Sequence, residues 1–393
     1  MIAPPAALAE TRTIAFRGGS SREVSGSELS EIPGWRDALA HVAKDHRFYE
    51  LAEQTLEGGF EHRYLVLSDD AGVVRGIQPV FFVQQNLVEG VPAMRRIVDA
   101  IRRRFPRFLT MRLLMIGCAA GEGHLGVCRS GDEEWVAIAL LATIENYARV
   151  AGASLIVLKD FGVAYRELLE RFSANGYVRI PSMPMTTLSL QHSDFEDYLA
   201  TLSKATRKDL RRKFRKIAKA APIELEVLSD VSAYVDELYP LYLQVHERSP
   251  LKFERLTKDY FRALGARMSD RVRFFVWRQH GRIIAFSLTL VHDSTIYDDY
   301  LGLDYNVALD LHLYFVTFRD IITWALANGV TRYCSSPLNY EPKLHLGCDL
   351  MPLDLYVRHT SPWLNPIMQR ALSLAGPTRH DRILPRFPNA NEL

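Results

Sequence analysis

Cysteine is scarce in this 393-residue chain, which has four: Cys118, Cys128, Cys334 and Cys348. No two of them form a C-x-x-C pair and no histidine cluster lies beside them, so no metal site is expected. Scattered cysteines in a long chain fit a reducing compartment better than a disulfide scaffold. An excess of one charge is also lacking. The 48 basic and 46 acidic residues leave a net charge of +2, which argues against a disordered or nucleic-acid-coating protein, and no DNA partner is expected. No run of about 18 apolar residues is free of charge, so no transmembrane helix is expected. The first ten residues have no basic n-region and are broken by prolines, unlike a secretory signal. The expected location is the cytoplasm, with any membrane contact peripheral, at the inner face.

What the chain does have is the make-up of a globular enzyme, 48% hydrophobic and 24% charged. Its length suits two domains of roughly 150–200 residues each. Residues 1–22 read as a loose lead-in, 23–190 as a first domain, 191–222 as a basic helical connector, 223–360 as a second, catalytic domain and 361–393 as a tail. Residues 32–51 read as helical, His62-Arg-Tyr-Leu-Val-Leu-Ser as a strand, and Asp69-Asp-Ala-Gly as a hairpin turn. A basic helical stretch is expected at 93–104, and a capping box of Ser130 with Glu133 opens a helix running to Val150. The second half repeats the grammar: strands at 272–278, 283–292 and 295–302, a long helix at 307–328 closed by Gly329, and a last strand at 352–358 that closes its sheet. Tyr64-Leu-Val-Leu with Gly72-Val-Val-Arg-Gly-Ile-Gln-Pro-Val parallels Phe274-Phe-Val-Trp with Gly281-Arg-Ile-Ile-Ala-Phe-Ser-Leu. The fold class expected is α/β (α+β), one mixed-sheet unit used twice.

Three features carry chemistry. Gly121-Glu-Gly-His-Leu-Gly satisfies G-x-G-x-x-G, but Val127-Cys-Arg-Ser-Gly separates it from the next helix, which argues against a dinucleotide site. A loop at the first half's analogue of a donor cleft, or a plain flexible turn, remains. The run from Ser203 to Lys219 puts Leu210, Phe214 and Ile217 on one helical stripe and crowds cations on the rest. Arg207, Arg211 and Arg212 can hold donor phosphates, meet an acidic carrier protein or lie on an anionic membrane; the bland alternative is a solvated connector. Tyr297-Asp-Asp-Tyr sits on a strand, where alternation sends Tyr297 and Asp299 to one face and Asp298 and Tyr300 to the other. An acid on a buried strand is either paired or working, and Asp298 or Asp299 can take the proton of an incoming ammonium. His312, on the first turns of the long helix, is a further candidate base or donor ligand. Tyr297, Tyr300, His246 and Tyr333 are candidate pocket residues.

The second half resembles the tandem-GNAT transferases grouped with FemAB, including the FemAB-like N-acyltransferases and the BioF2-like acetyltransferase domains. The likeness is carried by Gly281-Arg-Ile-Ile-Ala-Phe-Ser-Leu, Thr295-Ile-Tyr-Asp-Asp-Tyr-Leu-Gly, Leu311-His-Leu-Tyr-Phe, the connector from Leu202 to Arg212, and Tyr340-Glu-Pro-Lys-Leu-His-Leu-Gly. It implies two GNAT-like domains in tandem, and it makes Lys343 a ligand for a donor phosphate or a developing oxyanion. Where an acetyl-CoA GNAT carries a glycine-rich pyrophosphate loop, this chain reads Leu303-Asp-Tyr-Asn-Val-Ala-Leu-Asp-Leu. The expected activity is N-acyl transfer from acyl-CoA or an acyl carrier protein to a primary amine of a lipid-like or cell-envelope acceptor, with no tightly bound cofactor. The alternatives are a Fem-type aminoacyl-tRNA-dependent transferase acting on a peptidoglycan precursor and a non-catalytic binding protein on the same scaffold.

Overall fold

The structure, a computed structural model, describes residues 12–86, 110–374 and 377–393. The basic helical stretch expected at 93–104 lies outside the described residues. In chain order the elements are strands β1 (Thr13–Phe16) and β2 (Gly19–Val24), helix α1 (His46–Thr55), strands β3 (Glu61–Asp69), β4 (Val74–Asn86) and β5 (Thr110–Ile116), helix α2 (Glu133–Val150), strand β6 (Leu155–Gly162), helix α3 (Arg166–Ala174), and strands β7 (Val178–Pro181) and β8 (Met185–Ser189). Helices α4 (Phe195–Thr201) and α5 (Lys204–Ile217), strand β9 (Glu224–Leu228), and helices α6 (Val235–Arg248) and α7 (Lys258–Arg267) follow. Then come strands β10 (Val272–Gln279), β11 (Arg282–His292) and β12 (Thr295–Leu303), helix α8 (Leu313–Ala327), strand β13 (Arg332–Ser335), helix α9 (Tyr340–His345), strands β14 (Asp349–Met351) and β15 (Leu353–His359), and helix α10 (Asn365–Leu374).

The chain forms two compact units, one of residues 1–53, 59–180 and 354–376, the other of 54–58, 181–353 and 377–393. The first unit's sheet runs β1-β2-β3-β4-β5-β6-β15-β7 and the second unit's β14-β8-β13-β12-β11-β10-β9. Each is antiparallel until one parallel step, β5 with β6 in the first and β12 with β13 in the second. A helix makes each parallel crossover, α2 in the first unit and α8 in the second, so the two mixed sheets share one wiring.

The expected bounds put residues up to 190 in the first domain and the strand at 352–358 in the second, but the strands found at both places join the other sheet. Strand β8 pairs with β13 and β14 in the second sheet, while β15 lies between β6 and β7 in the first. Alternation tells which face of a short strand is buried, not which sheet it joins. The fully buried Asp354 of β15 holds its place through Arg166 Nε at 2.6 Å and Arg179 at 2.8 Å.

Three helix starts also differ from expectation. Residues 32–45 form turns, and the helix begins only at His46. Helix α2 starts at Glu133 behind Asp132, and the Glu133 carboxylate accepts from the Gly131 N–H instead of closing a box with Ser130. The long helix starts at Leu313, six residues late, because Asp304 ties down the 304–308 turn through the N–H groups of Asn306 and Ala308.

Helix α8 buries Leu313, Val316, Phe318, Ile321, Ile322 and Ala325, spaced to fill one broad face, against Phe275, Trp277 and Tyr333. Helix α5 joins the same core through Leu210 and Ile217, with Phe214 half-buried, the stripe the sequence shows.

Candidate active site

The parallel pairing of β12 with β13 ends at Asp298 opposite Ser335. Beyond it β12 runs on to Leu303 with β11 as its strand partner, so the two parallel strands splay from Asp298 onward. At the same place β12 is bulged. Thr289 pairs with Asp298 and Leu288 with Tyr300, leaving Asp299 as the extra residue. The bulge overturns simple alternation: Asp298 and Tyr300 point to opposite faces of the sheet, not to the same one.

On the α8 face, the partly buried Asp298 carboxylate accepts from the Ser287 hydroxyl and, at 2.7 Å, from the Tyr333 hydroxyl. Burial raises its pKa above the usual carboxylate value, outweighing the two hydroxyl donors and the nearby Lys343 charge. Lys343 is only 5% exposed and donates to the Ser336 carbonyl, where β13 ends. Desolvation brings its pKa down to about 8 against the opposing pull of Cys348 and Asp298. The loop that leads into its helix α9 strains at Leu338 (φ 73°) and Asn339 (φ 52°), two consecutive left-handed residues without a glycine.

On the opposite face, the Tyr300 hydroxyl donates to Glu254 Oε1 at 2.7 Å, and His246 Nε2 lies 3.2 Å from the Glu254 carbonyl. Tyr242 packs edge-on against Tyr300 and accepts from the Leu256 N–H. Tyr300 and His246 therefore do meet, around a loop residue, Glu254, that has no sequence signal. Tyr297 instead packs with Met185, Cys334 and Leu353.

His312 is the residue before α8 and not part of its first turns; it takes a left-handed conformation (φ 47°). Its pKa is lowered by burial and then by the charges of Lys216, Lys213 and Arg212, so the basic helix does come up to the start of α8. Of the expected donor ligands, Arg207 is spent on the Ala200 and Leu202 carbonyls that end α4. Arg211 pairs with Glu196 at 2.8 Å, and Arg212 with Asp209 at 2.6 Å. Lys213, set over the Phe315 ring at 4.1 Å and paired with the same Asp209 carboxylate, and Lys216 are cations that sequence reasoning did not single out. Ser287 was passed over too, although a hydroxyl in Phe286-Ser287-Leu288 is a visible polar break in an apolar strand.

The equivalent splay of the first unit is filled. After β5, Gly117 turns the chain at φ 124°, and the glycine motif returns so that Gly123 bridges to Phe161 beside the end of β6. The motif opens no helix and is a loop at the matching cleft. A Cβ on Gly123 would stand 2.2 Å from the Lys159 carbonyl oxygen. Lys44 pairs with Glu122 of the loop at 3.0 Å, and Lys159 of β6 donates to the loop's Gly121 carbonyl at 2.9 Å.

Residues 204–342, from α5 into α9, match the family model of the acetyltransferase (GNAT) domain. This stretch is similar to an acetyltransferase (GNAT) domain. It contains Asp298, His312 and Tyr333 and stops one residue short of Lys343. The chemistry that goes with a GNAT domain is acyl transfer from an acyl donor to an amine. A Mycobacterium tuberculosis protein provisionally named 8-amino-7-oxononanoate synthase 2 is 24% identical over 280 residues, which cover 69% of this chain and 35% of that protein. The match thus spans about a third of the relative's length.

Solved structures show a similar fold over most of the chain. The C-terminal domain of a provisionally named lysylphosphatidylglycerol synthetase from Agrobacterium fabrum superposes with a TM-score of 0.53 at 14% identity, covering 90% of this chain and 96% of that one. FemX superposes with a TM-score of 0.52 at 12% identity, covering 85% and 96%. Among the described residues, no group of His, Cys, Asp or Glu side chains could hold a metal ion, and no helix is long and apolar enough to cross a membrane.

Proposed function

We propose that this protein is an N-acyltransferase that moves an acyl group from a thioester, acyl-CoA or acyl carrier protein, to the primary amine of a lipid-like or cell-envelope acceptor. The observation that carries the reading is the bulged, splayed edge of β12 beginning at Asp298, with the Lys343 amine buried beside it. The thioester arm lies along the edge that β13 leaves, and donor phosphates meet the start of α8 with Lys213, Lys216 and His312 around it. Asp298, held by Ser287 and Tyr333, takes the proton of the incoming ammonium; its raised pKa suits it to a base that must work near neutrality. The amine nitrogen bonds to the carbonyl carbon, the C–S bond breaks and the nitrogen's second proton leaves with the thiol. The Lys343 ammonium and N–H groups of the bulge stabilise the oxyanion. A fold neighbour named for synthesis of a lipid supports a lipid-like acceptor.

The test is thiol release coupled to amide formation, followed by mass spectrometry, with long-chain acyl-CoA or acyl carrier protein and a panel of long-chain and sugar amines. Asp298→Asn should cut kcat by roughly 10²–10⁴-fold while the thioester still binds. Equal turnover by wild type and Asp298→Asn would remove Asp298 from the chemistry. Amide formed only from charged tRNA would move the protein to the aminoacyl-tRNA-dependent class.

A further inference from the structure

Glu254 lies half-buried in the loop between α6 and α7, and its Oε1 accepts from the Tyr300 hydroxyl at 2.7 Å. Among the described residues no Lys, Arg or His side chain pairs with its carboxylate, and Oε2 accepts no hydrogen bond. The cations nearby in the chain are engaged elsewhere. Arg255 reaches Glu57 and the Tyr239 hydroxyl, Lys258 pairs with Asp236 at 2.6 Å, and Arg248 lies over the Tyr305 ring at 4.1 Å. A carboxylate taken partly out of water is costly until a cation or several donors reach it. Tyr300 supplies one donor and no charge. Burial first, and then the Glu254 charge, raises its pKa well above the ordinary value, so the hydroxyl keeps its proton.

The surroundings hold that carboxylate still. His246 Nε2 meets the Glu254 carbonyl at 3.2 Å, and the Leu256 N–H donates to the Tyr242 hydroxyl at 3.0 Å, so the loop is pinned at two points. Tyr242 and Tyr260, both buried, stand edge-on to Tyr300 with ring centroids 6.4 and 6.5 Å away. They back the acid with a dry aromatic wall. An ammonium arriving there gains a charge-assisted pairing where water screens it little, and its carbon chain packs on the rings. An anion is repelled, and a neutral hydroxyl gains one uncharged bond. Tyr300 is two residues along β12 from Asp298, about 7 Å by strand rise, and the ladder with β13 ends at Asp298.

We infer that Glu254, oriented by Tyr300, docks the ammonium of the acceptor and so selects amines over alcohols, leaving proton removal to Asp298. This rests on the acyltransferase reading for what the amine is, so the test is binding alone, without a thioester. The experiment is saturation-transfer NMR of the full chain with hexylamine, an ammonium at neutral pH, and with 1-hexanol, its uncharged counterpart. Hexylamine should bind and hexanol should not. Glu254→Gln should weaken hexylamine binding about tenfold, the worth of a charge-assisted bond, and Glu254→Asp should recover part of it. Glu247→Gln, which changes an exposed acid beside His246, should bind as wild type. In the thioester assay, Glu254→Gln should raise the acceptor KM about tenfold and leave kcat within about twofold. Hexylamine binding that follows Glu254 in a protein that forms no amide would keep the cation site and remove the reaction. Three results would overturn the inference: no hexylamine binding by wild type, equal binding of hexylamine and hexanol, or hexylamine binding unchanged in Glu254→Gln.

Discussion

At the scale of single residues, Lys343 and Asp298 bracket the working pH. Burial lowers Lys343 to about 8, so a required ammonium is lost as pH rises through that value and turnover should fall there. Burial raises Asp298, so its limb lies above the ordinary carboxylate range and turnover should climb as pH rises through it. Lys343→Arg keeps its charge far above pH 8, because a guanidinium titrates above about 12. The expected outcome is a kcat profile whose alkaline limb moves upward in Lys343→Arg while the acid limb stays. An alkaline limb at the same pH in both proteins would show that Lys343 does not set it. The effect of Lys343 on stability has the opposite sense. Between its folded value near 8 and the unfolded value of about 10.4, the unfolded chain binds the extra proton, so the cost of burying Lys343 shrinks as pH rises across that window. The sequence shows Asp298 and Lys343 as candidates because an acid on an apolar strand and a lysine in the motif from Tyr340 to Gly347 stand out. It does not show their partners: Ser287 comes from an adjacent strand and Tyr333 from beyond a helical crossover. Glu254 belongs to a loop whose position no local pattern sets.

At the scale of elements, the hairpins, the long helix and the basic helix are legible because each is written in local periodicity. What is not legible is long-range choice. Strands β8 and β15 read as well in one sheet as in the other, and the bulge at Asp299 appears only when β12 is laid against β11. The glycine motif is legible as a loop but not as the filler of the first unit's cleft. That filling is steric: Gly126 also passes so close to β4 that a Cβ would stand 1.9 Å from the Ile77 carbonyl oxygen. Gly123→Ala and Gly126→Ala should each destabilise the first unit by about 1–3 kcal/mol, the usual cost of overpacking, read as a lower urea midpoint. A midpoint equal to wild type in both variants would show that the loop does not pack as described.

At the scale of the whole molecule, duplication of the wiring has not duplicated the cleft. One parallel pair splays beside Asp298 and Lys343; the other is closed by Gly123, with Lys44 paired to Glu122 and Lys159 bonded to the Gly121 carbonyl. The donor is therefore expected to bind once per chain, in the second unit. Native mass spectrometry after incubation with acetyl-CoA, long-chain acyl-CoA, acyl carrier protein and charged tRNA tests this most directly. The expected result is one retained thioester per chain, lost when Lys213 and Lys216 are both changed to glutamate. Retention of charged tRNA alone, or of none of the four, would contradict a thioester-dependent acyltransferase.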